Sequence, residues 1–166
     1  MKKLGIIFTA LLLFGVGNIY AQTSTSADVA VSATIEGSLT IANQNDLAFG
    51  TVSAGATATV DQTTSVDAGK LALQGTAGQT VVVTAPASLT LTGAGDDITA
   101  SLAYVGNDAD DQGTAAEGNL GGGGGNVTLD ATTGEYFIWV GGSFTTPITQ
   151  ANGVYSATLT VAIEYL

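Results

Sequence analysis

The chain has 166 residues, carries 14 Asp and Glu against three Lys and Arg, and contains neither Cys nor His. Those absences exclude disulfide frameworks, thiolate chemistry and nearly all zinc, copper and haem sites. From residue 22 onward Lys70 is the only cation and there is no Arg, so nucleic-acid phosphates and anionic lipid heads find nothing to hold them.

Met1, Lys2 and Lys3 form a positive start, and Leu4 to Ile19 are almost continuously apolar. Ile19-Tyr20-Ala21 then offers a small-residue cleavage site, with Gln22 as the first mature residue. This pattern predicts a secretory signal peptide over residues 1–21. An uncleaved anchor is the rival reading, but the apolar run is slightly short for a span and has no basic flank after it. Residues 22–166 then form a single domain, long enough to bury a proper core without disulfides.

Thr, Val, Ala and Gly dominate that domain, and turn chemistry recurs every eight to twelve residues. Helical periodicity is missing, so the expected fold is an all-β antiparallel sandwich. The first strand is expected over Asp28–Ile35, where Val29, Val31, Ala33 and Ile35 alternate with smaller or polar residues. Strands at Ser38–Ala42 and Leu47–Val52 follow, split by a polar turn at Asn43–Asp46. Thr57–Val60, Lys70–Gln74, Thr80–Ala85 and Ser88–Thr92 come next. Ile98–Val105 follows the turn Gly93–Asp97, and Asn126–Asp130 and Glu135–Gly141 flank Ala131–Gly134.

Gly106–Gly125, which ends in five consecutive glycines, reads as a flexible exposed loop. It lacks the Gly-Lys-Ser/Thr ending of a phosphate-binding loop. The closing strand is expected over Tyr155–Leu166. Tyr155, Ala157, Leu159, Val161, Ile163 and Tyr165 point one way, and Ser156, Thr158, Thr160 and Glu164 the other. A strand this apolar aggregates if left at a naked edge, so it must be central, covered, or paired with another chain.

Few residues suggest chemistry. Asp108, Asp110 and Gln112, followed by Gly113, have the spacing of the first half of a calcium loop, but the closing Glu is missing: Asn119 stands in its place and Glu117 is two residues early. Calcium is thus the one candidate cofactor, and a solvated acidic loop the alternative. Asp96-Asp97 sits in a Gly-rich turn, where Asp is favoured for local hydrogen bonding, so no enzyme activity is expected from it. Lys70 reads as a solvated edge lysine. Phe137 and Trp139 share one face of the most aromatic stretch and are a candidate ligand platform for sugar rings, or simply the covered face of a central strand. Asn126-Val127-Thr128 matches a glycosylation sequon, a triplet common by chance.

Asp46-Leu47-Ala48-Phe49-Gly50-Thr51-Val52 is close to a Leu-x-Phe-Gly signature, and Val140-Gly141-Gly142-Ser143-Phe144 precedes a polar link. Asn152 to Val161 resembles a Gly-x-Tyr-Ser-x-Thr closing strand. Together these resemble a family of bacterial secreted domains of unknown function. In layout the chain is also similar to pilins of the archaic chaperone–usher pathway and to spore coat U-like proteins. The pilin resemblance implies an incomplete immunoglobulin-like sandwich that receives its missing strand from the N-terminal extension of the next subunit. It further implies a periplasmic chaperone and usher, and display on the surface of a Gram-negative-type bacterium. This chain departs from the pilins in lacking their usual cysteine pair.

The expectation is therefore a non-catalytic, secreted, pilin-like subunit of a surface fibre or coat that self-associates by strand complementation. Val29, Val31, Ala33 and Ile35 would be the donor side chains, and Tyr155, Leu159, Val161, Ile163 and Tyr165 would border the acceptor groove. The alternative is a monomeric cell-surface adhesion or carbohydrate-binding module that uses Phe137, Trp139 and the Asp108–Gly113 loop.

Overall fold

The computed structural model describes residues 29–33, 37–118 and 120–166. The chain divides into two units, Met1–Thr34 and Ile35–Leu166. In the first, residues 29–33 form neither helix nor strand, and Val29 and Val31 are 81% and 90% exposed. The strand expected over Asp28–Ile35 is thus not formed at 29–33. Asp28 and Ile35 themselves, like the expected signal peptide, lie outside the described residues.

The second unit is all-β. Its described strands are β1 (Thr40–Asn45), β2 (Thr57–Val60), β3 (Gly69–Gln74), β4 (Thr80–Thr84), β5 (Ser88–Leu91), β6 (Ile98–Asn107), β7 (Gly124–Thr128), β8 (Glu135–Thr145) and β9 (Ala162–Tyr165). One 3-10 turn, Gln112–Thr114, interrupts the β6–β7 connection. Among the described residues no helix is long and apolar enough to cross a membrane.

Every strand pairing is antiparallel, in two sheets. The larger runs β1-β3-β8-β6-β5, and β2 also pairs with β8; the smaller runs β7-β4-β9. β8 is the organising strand. β6 occupies one of its edges from Phe137 to Ser143, while β3 and β2 take successive stretches of the other, Glu135–Val140 and Gly142–Thr145. Gly141 sits where β3 hands over to β2. A Cβ there would collide with the carbonyl oxygen of Val60 and lie 2.6 Å from the amide nitrogen of Gln62. Glycine lets two strands converge on one edge.

The core lies between the two sheets. Leu73, Ile138, Val140, Leu102 and Tyr104 point into it from the larger sheet, and Val81, Val83 and Val127 from the smaller. Period-two alternation selects these residues. In the run Val81-Val82-Val83 the outer two are 0% and 2% exposed, while Val82 turns outward. Each such buried Val, Leu or Ile contributes about 1.5–3 kcal/mol over its exposed state.

Besides the first strand and the closing one, three expected elements differ. β1 runs through the supposed turn, because Asn43 and Asn45 pair with Leu71 and Lys70 across a bulge. Leu47–Val52 forms no strand. The expected loop Gly106–Gly125 is shorter: β6 continues to Asn107 and β7 begins at Gly124, and most described residues between them are exposed, whereas Leu120 is 1% exposed.

Tyr104 gives the core a pH dependence. It is 3% exposed, and its hydroxyl donates to the Pro86 carbonyl at 2.6 Å. Burial raises its pKa from 10.0 to about 12. The folded state therefore keeps a proton that the unfolded chain releases near pH 10. This contribution to stability is full below pH 10 and is lost as pH rises toward about 12. Urea midpoints measured from pH 8 to 12 should fall across that window, and Tyr104→Phe should flatten the fall. An equal fall in the variant would contradict the assignment.

Candidate strand-acceptor groove

The closing segment keeps the alternation legible in its sequence but pairs over only part of its length. Tyr155, Leu159, Val161, Ile163 and Tyr165 are half-buried, whereas Ala157 and the alternate residues are exposed. Only Ala162–Tyr165 joins a sheet, opposite Thr84–Val81 of β4. At the other end Ser156 exchanges two backbone hydrogen bonds of 3.0 Å with Thr92, just past β5. Between these anchors, residues 157–160 make no backbone–backbone hydrogen bond with any described residue.

Two tyrosines hold the ends. The Tyr165 hydroxyl accepts from the Thr76 amide at 2.8 Å and donates to Thr76 Oγ1 at 3.2 Å. The Tyr155 hydroxyl donates to the Ala151 carbonyl at 2.9 Å and accepts from Gln150 Nε2 at 2.8 Å. The segment is thus stretched between the small sheet and the rim of the large one, with its middle left unpaired.

Residues 46–52 form the facing wall. Leu47, Phe49 and Val52 are half-buried at alternating or near-alternating positions. The Ala48 amide donates to the Asp67 carbonyl at 3.0 Å, and Phe49 packs edge-on against Phe144 with centroids 4.9 Å apart. The rest of this wall also lacks a strand partner.

Between the walls lies a groove of about 1090 Å³. Leu71, Leu89, Leu102, Val140 and Phe144, all from the larger sheet, line it. Leu47 and Phe49 border it on one side, and Leu159, Val161 and Tyr155 on the other. The groove has a largely apolar floor between two stretches that lie mostly outside the sheets, with Asp46, Lys70 and Ser156 also among its lining residues. It has what an added β-strand needs: main-chain partners at its edges and pockets for alternate side chains.

Of the expected groove residues, Tyr155, Leu159 and Val161 line it, while Ile163 and Tyr165 pack against the main core instead. Residues 46–52 as the second wall escaped the sequence reading, although the spacing of Leu47 and Phe49 carried the signal. Expected donors Val29 and Val31 are exposed, as is Ala33, and Ile35 is outside the described residues.

The other candidate residues are occupied elsewhere. Phe137 and Trp139 are 7% and 4% exposed and form a second cluster with Val105, against which Ala115 of the β6–β7 connection packs. Lys70 Nζ lies 5.1 Å and 5.7 Å from the two ring centroids and pairs with Asp110 at 2.5 Å. Over Phe137 and Trp139 this face of β8 is covered, so the aromatic pair offers no open platform. Lys70 is no solvated edge lysine either, because β3 is flanked on both sides by β1 and β8.

In the candidate calcium loop, Asp110 is taken by Lys70. Gln112 Nε2 donates to the carbonyls of Gln62 and Ser65 at 2.9 Å and 3.0 Å, and Asp111 accepts from the Gly113 amide. Asp108 remains near Tyr136, whose pKa is raised first by burial and then by that carboxylate. Among the described residues no group of three or more Asp or Glu side chains is placed to hold a metal. Asn119 lies outside the described residues.

Fold and groove define an all-β domain of antiparallel sheets with one open, apolar, strand-sized trough. The chain belongs to the family described as Domain of unknown function (DUF4402), which matches residues 9–165. No curated protein matches it.

Proposed function

We propose that the protein is a secreted, non-catalytic structural subunit of a surface fibre or coat, an incomplete immunoglobulin-like sandwich completed by a strand from a neighbouring copy. The single observation that carries this reading is the groove between residues 46–52 and 157–160, with its largely apolar floor and walls that are unpaired over most of their length. A complete domain would fill such a trough with its own chain, because unpaired backbone and exposed apolar side chains are costly together.

The donor is the segment that ends at Ile35. Its Val29, Val31, Ala33 and Ile35 recur at every second residue, the spacing that one sheet face requires. Residues 29–33 enter no strand within the chain, which leaves their backbone free to pair elsewhere. Secretion by the signal peptide, and handling by a periplasmic chaperone and usher, belong to the same reading. The adhesion-module alternative loses its platform, since Phe137 and Trp139 are covered.

Electron microscopy and mass photometry of the secreted protein, with and without residues 22–35, test the proposal. Oligomers or filaments are expected from the full mature chain and monomers from the deletion. Filaments that survive the deletion would rule out this donor segment.

A further inference from the structure

Away from the groove, the outer face of the larger sheet carries an ordered field of hydroxyls. Strand registers place Thr59 opposite Ser143, Ser143 opposite Ser101, and Ser101 opposite Ser88, a single row across β2, β8, β6 and β5. The next row on the same face pairs Thr57 with Thr145 and Thr90 with Thr99. Seven of the eight are exposed and Ser143 is half-exposed; the inward neighbours Ala58, Val60, Leu102 and Ala100 are buried. Neighbouring rows and strands of such a face are spaced about 6.8 Å and 4.8 Å apart.

Two observations separate this patch from an ordinary solvated sheet face. Apart from Thr57 and Thr145, which bond each other at 2.8 Å, the hydroxyls make no side-chain hydrogen bond within the described chain. Beside the first row lies a depression of about 360 Å³, where Ala103 and Gly142 supply almost no side chain and Asp61, Gln62 and Thr63 also line it. The Asp61 carboxylate is already held by Thr63, whose amide and hydroxyl donate to it at 2.7 Å and 2.6 Å and keep its pKa low.

We infer that this face binds a neutral polysaccharide. Each Ser or Thr offers one donor and two acceptor positions, and a polyol chain presents the same mixture at repeating intervals. The eight positions carry no charge in a chain of net charge −11, so a polycation would settle on the acidic loops instead and a polyanion would be repelled. A second copy of the chain would gain no apolar burial on a hydroxyl field. Each hydrogen bond to such a polymer adds little net free energy in water. Binding therefore rests on several contacts per domain and gains further when many domains are arrayed. The inference does not depend on the groove or on its donor.

Native gel electrophoresis through dextran, mannan or hydroxyethyl cellulose tests it directly, because the acidic protein migrates without added charge. Retardation by at least one of these polymers is expected. The combined variant Thr59→Val, Ser101→Ala, Ser143→Ala keeps side-chain shape and strand propensity while removing three hydroxyls. It should raise the apparent Kd at least fivefold with an unchanged melting temperature. If that variant does not fold, Ser88→Ala with Thr90→Val on the edge strand serves the same purpose. Free migration of the wild-type protein in all three polymers, or equal retardation of a folded variant, would overturn the proposal.

Discussion

A synthetic peptide spanning residues 23–35, added to protein that lacks residues 22–35, is expected to raise its Tm. A ligand that binds only the folded state stabilises it by about 2.7 kcal/mol at a hundred times its Kd, a shift of roughly 10 °C for a domain of this size. The gain comes from covering the half-buried Leu71, Leu89 and Phe144 with the peptide's valines and from pairing backbones that now lack partners. Part of the gross gain is lost in ordering an extended peptide. The control peptide carries Val29→Asp and Val31→Asp, which would bury two carboxylates without partners. Differential scanning fluorimetry across a peptide titration measures both. No shift with the native peptide, or an equal shift with the control, would refute strand acceptance.

Leu120→Ala is expected to cost about 2–5 kcal/mol, the range for truncating a well-buried leucine. The position lies within the supposed flexible loop and directly precedes five glycines, yet its side chain is 1% exposed in the main core. The backbone around it is held as well. The Gly123 amide donates to the Leu120 carbonyl at 3.2 Å, and the Ala85 amide donates to the Gly123 carbonyl at 2.5 Å. Gly123 has φ +103°, and a Cβ there would collide with the Ala85 carbonyl, so this glycine is required by close approach. Urea unfolding gives the measurement. A loss under about 0.5 kcal/mol, the scale of an ordinary surface substitution, would show that Leu120 is not packed as described.

The alternation of Thr57–Val60, Thr80–Thr84 and Ile98–Val105 was legible in the sequence because side-chain direction in a strand depends only on position parity. The same rule identified which side of Tyr155–Leu166 turns inward, and the absence of His and Cys set limits on chemistry before any geometry was known. Pairing is a different kind of fact. Whether residues 157–160 have a neighbour depends on segments far away along the chain, such as β4 and the wall at 46–52, and no local pattern encodes that distance. Asn43 and Asn45 read as a turn by composition, yet they continue β1 because β3 offers them partners. Phe137 and Trp139 read either as a platform or as the covered face of a central strand, and Lys70, Asp110 and Ala115, from other parts of the chain, supply the cover. The glycine run is ambiguous for the same reason: glycine permits both a flexible linker and a tightly apposed backbone, and only the Ala85 carbonyl against Gly123 decides between them. By itself, then, the sequence determined strand identity and facing, which are local and periodic. The tertiary structure alone decided which backbones stay unpaired, because hydrogen-bond partners and side-chain cover are supplied by residues far away along the chain.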